Sequence, residues 1–126
     1  MREEITQKID GSPPNQVNLE EMAIKDAEIQ EILNLILLSK PKIQSLFLNN
    51  NEITDVGAII LQGSLAQLVD LTFLDLQFNF IDKEGALALM RVKSKNPALQ
   101  IALHGNKIVD TGVMREIEEE AKEAKE

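Results

Sequence analysis

Leu46-Phe47-Leu48-Asn49-Asn50-Asn51-Glu52-Ile53-Thr54-Asp55-Val56-Gly57 decides the fold, because the chain writes the same phrase again. Leu74-x-Leu76-x-x-Asn79-x-Ile81-x-x-x-Gly85 repeats it, and so does Ile101-x-Leu103-x-x-Asn106-x-Ile108-x-x-x-Gly112. The asparagines are spaced 28 and then 27 residues apart. A fixed period of this length means stacked supersecondary units, a solenoid in which each coil contacts only its neighbours.

In a strand, Leu46 and Leu48 point one way and Phe47 the other. Inward aliphatics meet the helices that follow each strand, while outward positions are often polar: Asn18 and Glu20, Ser45 and Asn49, Asp75 and Gln77, Gln100 and His104. That alternation argues against a sheet covered on both faces, whose strands read as unbroken apolar runs. Asn51, Asn79 and Asn106 stand where the chain turns off the strand, and each side chain can satisfy backbone groups left without sheet partners. Stacked, the three are expected to form a ladder. Gly57, Gly85 and Gly112 fall in the first helical turn, where glycine weakens a helix. Their recurrence implies close backbone packing.

The remaining segments follow from this frame. In a degenerate first repeat, Val17, Leu19 and Ile24 replace Leu46, Leu48 and Ile53, with Met22 at the Asn position and Glu28 at the Gly position. Terminal repeats are commonly atypical. Helices are expected from Asp26 to Ser39, from Thr54-Asp55 with a break or kink at Gly63-Ser64, from Asp82 to Ser94, and from Asp110 onward. Residues 1–16 read either as a small helix capping the first repeat or as a disordered leader. The repeats occupy 17–117, and 118–126 form an acidic tail of helical character.

Composition bounds the function. The chain has 126 residues, a formal net charge of -8 and no cysteine. One domain fits this length. The negative charge argues against nucleic acid as a partner. The missing thiols exclude disulfides and thiolate chemistry, and lean towards a reducing compartment such as the cytoplasm. No apolar run is long enough to span a bilayer. A lone histidine, His104, lacks an oriented nucleophile or second ligand, so no catalytic residue, metal site or cofactor is assigned.

The phrase, its period and the Asp-x-Gly helix start resemble the ribonuclease-inhibitor-type leucine-rich repeats across about residues 17–117. The resemblance implies an α/β solenoid of about four strand–loop–helix units, parallel sheet on the concave face, helices on the convex face. It also implies protein binding through the sheet and adjoining loops. The array has few repeats and lacks the cysteines common in vertebrate inhibitors, so ribonuclease inhibition does not carry over; the absence of cysteine and the compact phrase look more like bacterial members. The glutamate-rich end reads first as a solvated cap of the array or as a contact for a basic partner; it is also similar to short signals on some bacterial type IV secretion substrates, a resemblance that implies an effector delivered into a host cell.

All four aromatic residues, Phe47, Phe73, Phe78 and Phe80, fall at outward or loop positions. Aromatic anchors dominate binding energy at interfaces. The partner-binding set is therefore Phe47, Asn49, Phe73, Asp75, Gln77, Phe78 and His104, facing a protein partner or a second copy of the chain. Phe47 and Phe73 are expected to touch diagonally, and His104 to face outward beside Gln77 with Asp75 diagonal to it. Two other readings compete: a GTPase-activating protein, since one such family uses this repeat type, and a self-associating structural module; a cytoskeletal cap, as in tropomodulin-like proteins with similar short arrays, is a third for which no motif speaks specifically.

Overall fold

The computed structural model describes residues 1–108. In chain order the elements are α1 (Glu3–Asp10), β1 (Gln16–Asn18), α2 (Asp26–Ser39), β2 (Ser45–Phe47), α3 (Asp55–Leu65), β3 (Phe73–Asp75), α4 (Lys83–Lys95) and β4 (Gln100–Ala102). The four strands form one parallel sheet in the order β1-β2-β3-β4. The helix expected from Asp110, with Gly112 in its first turn, and the acidic tail lie outside the described residues.

Register makes the core continuous. Val17 pairs with Leu46, Leu46 with Leu74 and Leu74 with Ile101. Val17, Leu46 and Leu74 are fully buried, as are Leu19, Leu48 and Leu76 one step along and Ile24 and Ile53 at the loop. Ile29, Ile32, Leu33 and Ile36 of α2, and Leu61 and Leu89 of α3 and α4, close on these rows from the other side. Truncating one such residue, for instance Leu46→Ala, costs about 2–5 kcal/mol.

The asparagines join successive coils through the backbone. Asn51 Oδ1 accepts from the amides of Met22 and Ile24, each at 3.0 Å, and its Nδ2 donates to Leu19 O and Leu48 O, each at 3.0 Å. Asn79 takes the Ile53 amide at 3.0 Å and donates to Leu48 O and Leu76 O at 3.0 and 3.1 Å. Asn106 takes the Ile81 amide at 2.9 Å and donates to Leu76 O and Leu103 O at 2.8 and 2.9 Å. Each side chain thus serves its own coil and the one before.

A second row of contacts runs along the helix N-termini. Asp26 Oδ1 accepts from Thr54 N at 2.8 Å and Gly57 N at 3.1 Å, and its other oxygen takes the Thr54 hydroxyl. Asp55 Oδ1 accepts from Asp82 N at 2.7 Å. A carboxylate at the first turn also suits the positive end of the helix dipole. This explains the recurrent glycine more sharply than backbone packing does. A Cβ on Gly57 would lie 2.5 Å from Asp26 Oδ1 and 2.7 Å from Ile53 Cγ2; on Gly85 it would lie 2.5 Å from Asp55 Oδ1 and 2.9 Å from Ile81 Cγ2. The crowding is with side chains.

The first repeat has no coil before it, and α1 covers it. Ile5 and Ile9, one helical turn apart, are both fully buried. Glu28, at the glycine position, accepts from Arg2 Nε at 2.9 Å and from Lys25 N at 3.2 Å, while Arg2 Nη2 reaches Met22 O at 2.6 Å. The Arg2 hydrogen bond holds the Glu28 carboxyl below the ordinary carboxylate range, against the opposing effect of burial.

One sequence expectation fails here: α3 runs unbroken from Asp55 to Leu65, through Gly63 and Ser64. Ser64 is buried and lies 3.5 Å from Gln30 Nε2, so a packed, hydrogen-bonding residue occupies the suspected break.

Two measurements check this account. Asn79→Ala leaves the Ile53 amide buried and unpaired and takes one of two side-chain donors from each of Leu48 O and Leu76 O, which keep Asn51 Nδ2 and Asn106 Nδ2, so chemical denaturation should show a loss of about 1–3 kcal/mol; an unchanged midpoint would contradict the backbone-bridging role. Because the folded pKa of Glu28 is depressed, its contribution is fully present above the unfolded value of about 4.3 and is lost as pH falls through the folded value. The stability gap between the wild type and Glu28→Gln should therefore narrow on acidification below about pH 4. A gap independent of pH would exclude the Arg2 contact as its source.

Candidate functional site

The strand side chains that turn away from the core line up in register. Ser45 lies opposite Phe73 and Phe47 opposite Asp75, so Phe47 and Phe73 sit diagonally. Their rings meet edge to face, centroids 5.6 Å apart with planes inclined 62°. Both are half-buried, partly by each other. Aromatic pairs in this geometry gain about 0.5–1.5 kcal/mol beyond the area they cover.

Beyond the strands, the ladder of backbone hydrogen bonds continues to the turn. Glu21 N donates to Asn49 O at 3.2 Å, Asn50 N to Gln77 O at 2.9 Å, and Phe78 N to His104 O at 2.9 Å. The residue before each fixed Asn position is left-handed: Glu21 at φ 53°, Asn50 at 58°, Phe78 at 57° and Gly105 at 79°. Glycine and asparagine adopt this conformation readily, whereas a bulky Phe there is an outlier. Phe78 remains 50% exposed. Its ring stands edge-on to His104, centroids 5.6 Å apart and planes at 86°, and occupies the space a Cβ on Gly105 would need, 2.3 Å from that position. Phe80, 49% exposed, lies two residues further along.

The polar candidates do not all behave as the sequence implies. Asp75 is only 8% exposed, and its Oδ1 accepts from Gln77 N at 3.0 Å and Gln77 Nε2 at 3.1 Å. It closes a local turn instead of lending charge to the surface, so Glu20 and Glu21 carry the exposed acidity of this face. His104 is exposed and makes its ring contact with Phe78, not with Asp75, and no acid–base pair forms. Asn49 donates to Glu20 Oε2 at 3.2 Å, while its buried Oδ1 has no hydrogen-bond partner among the described residues. Gln77 is half-buried beneath its contacts with Asp75.

Two aromatic clusters result, Phe47 with Phe73 on the strands and Phe78 with His104 at the turn. Gly105, which seats the second, is absent from the residues assigned from sequence. Its signal was present: Asn50, Phe78 and Gly105 share one repeat position, and two of the three are residues that tolerate left-handed backbone. Among the described residues no group of acidic and histidine side chains is placed to hold a metal.

Comparison with known proteins supports the repeat fold. Residues 39–61 and 68–90 each match the family model described as Leucine Rich repeat. No curated protein matches the sequence. Among solved structures, leiomodin-1 actin-binding site 2 is similar, with a TM-score of 0.72 and 20% identity over 90% of this chain and 68% of that one. At that identity the likeness is one of fold. The architecture is a leucine-rich-repeat α/β solenoid.

Gly105→Ala tests the turn. The new methyl meets the Phe78 ring and alanine is strained at φ 79°, so thermal unfolding should report a loss of about 1–2 kcal/mol. Combining it with Phe78→Ala removes the clash but not the backbone strain, so the two changes should cost less together than their sum. Strict additivity would mean that the ring is not seated on Gly105.

Proposed function

We propose that this protein is a non-catalytic binding module that takes a protein partner on the sheet face and its adjoining loops. The observation that carries the reading is the aromatic surface: Phe47 packed on Phe73 across two strands, with Phe78 held half-exposed in a backbone conformation that disfavours it. Strain and solvent exposure at one bulky side chain are costs to the isolated chain. An interface that desolvates the ring offsets them. Asn49, Gln77 and His104 surround the rings with polar atoms, and Glu20 and Glu21 favour a basic partner by steering its approach. Asp75 belongs to the set as the residue that fixes Gln77. A sheet this narrow supports an interface of standard size at most, below about 1,600 Å².

Actin is the partner to test first, because the structurally similar protein is an actin-binding site of leiomodin-1. The likeness of fold supports the choice, and the ring cluster supplies the surface. The ribonuclease-inhibitor-type subclass, bacterial origin and delivery as an effector are finer versions of the same reading. They rest on the compact cysteine-free phrase and on the glutamate-rich end of the chain.

Phe47→Ala combined with Phe73→Ala should keep the fold, since neither residue belongs to the core, and should abolish binding. Co-sedimentation with filamentous actin and titration of labelled monomeric actin provide the readouts. Binding that survives the double substitution removes the sheet face as the site; wild-type protein that binds neither form ends the actin reading.

A further inference from the structure

The opposite side of the molecule carries a groove of about 470 Å³ between the C-terminal halves of α3 and α4. Leu65, Leu68 and Val92 form its buried apolar floor, and Ile59 and Val69 stand at its edges, 48% and 76% exposed. Arg91 and Lys95 flank it, and no carboxylate is found among the described residues that line it. On a chain with a net charge of -8, a groove whose only charged lining residues are the cations Arg91 and Lys95 is a local reversal of sign. Neither Arg91 nor Lys95 makes an ion pair among the described residues.

Gly63 provides a second, independent observation. It lies inside α3 and lines the groove. The glycines at 57 and 85 are required by crowding, and Gly105 by its backbone angle, but a Cβ built on Gly63 meets nothing within 4 Å. Glycine in a helix interior lowers stability relative to alanine. Nothing in the packing of the described residues offsets that loss at Gly63. Its missing side chain instead leaves the groove open where an occupant would approach the helix backbone.

We infer that the α3–α4 groove binds an amphipathic helical segment of a partner protein, aliphatic on one face and acidic along its flanks. Such a segment buries aliphatic anchors at helical spacing against Leu65, Leu68 and Val92. Its carboxylates meet Arg91 and Lys95, and its backbone passes closest over Gly63. The groove is open to solvent along the edges formed by Ile59 and Val69, which suits a laid-in helix. The site is separate from the sheet face and does not depend on what binds there.

The test uses the full chain and a fluorescein-labelled peptide with leucine at helical i, i+3, i+4, i+7 spacing and glutamate at the flanking positions, followed by fluorescence anisotropy. Saturable binding is expected, weakened about tenfold or more by Arg91→Glu with Lys95→Glu and by Gly63→Leu. It should be unchanged by Phe47→Ala with Phe73→Ala. Gly63→Ala should raise the melting temperature while weakening the peptide, the signature of a glycine kept for a ligand. Absence of saturable binding, or equal binding by the groove variants, overturns the inference. So does a lowered melting temperature for Gly63→Ala, which would give that glycine a structural cause. Light scattering that shows a dimer dispersed by Gly63→Leu would assign the groove to a second copy of the chain and equally overturn it.

Discussion

Each coil has to leave the sheet while its amides and carbonyls are still shut away from water. Burying one unpaired backbone group costs on the order of 1–3 kcal/mol, a sizeable fraction of the stability of a small domain. Asn51, Asn79 and Asn106 remove that penalty by presenting an acceptor and donors to backbone that lacks partners. The leucine rows can only stack because this is done. Aliphatic burial supplies the larger free energy, but it is non-directional and would tolerate many registers. The asparagines and the Asp26–Thr54–Gly57 contacts select the one observed.

The parts of the fold legible in the sequence are those repeated in it. Leu46, Leu74 and Ile101 fall in one register row because their spacing is set by a period that the eye can find. The ends of the elements follow from local chemistry, such as Thr54 and Asp82 accepting at helix N-caps. What the sequence hid depends on three-dimensional partners. Gly63 has the composition of a helix break, yet Ser64 packs inward and the helix continues. Asp75 sits at an outward strand position, yet its carboxylate folds onto Gln77. Period-two alternation tells which way a side chain leaves the backbone; it does not tell whether a neighbour then covers it.

The candidate binding surface was legible as a set of aromatics and illegible as an arrangement. Phe47 and Phe73 could be placed on adjacent strands by register alone. The seating of Phe78 over Gly105 and against His104 required the left-handed turn, which no hydropathy pattern encodes. The two sides of the molecule also differ in chemistry in a way composition averages out. Aromatic rings with Glu20 and Glu21 occupy the sheet side, while aliphatic surface with Arg91 and Lys95 occupies the helical side.

The asparagine bridges have a polarity along the chain. Asn51 serves the coil of Leu19 and Ile24, Asn79 that of Leu48 and Ile53, and Asn106 that of Leu76 and Ile81, always reaching back. The first coil can therefore dispense with its own, and Met22 sits at that position with α1 rather than another coil behind it. A duplicated coil spliced into the interior would arrive with the cement for the one it lands upon, so arrays of this kind can lengthen by gene duplication without inventing a new joint.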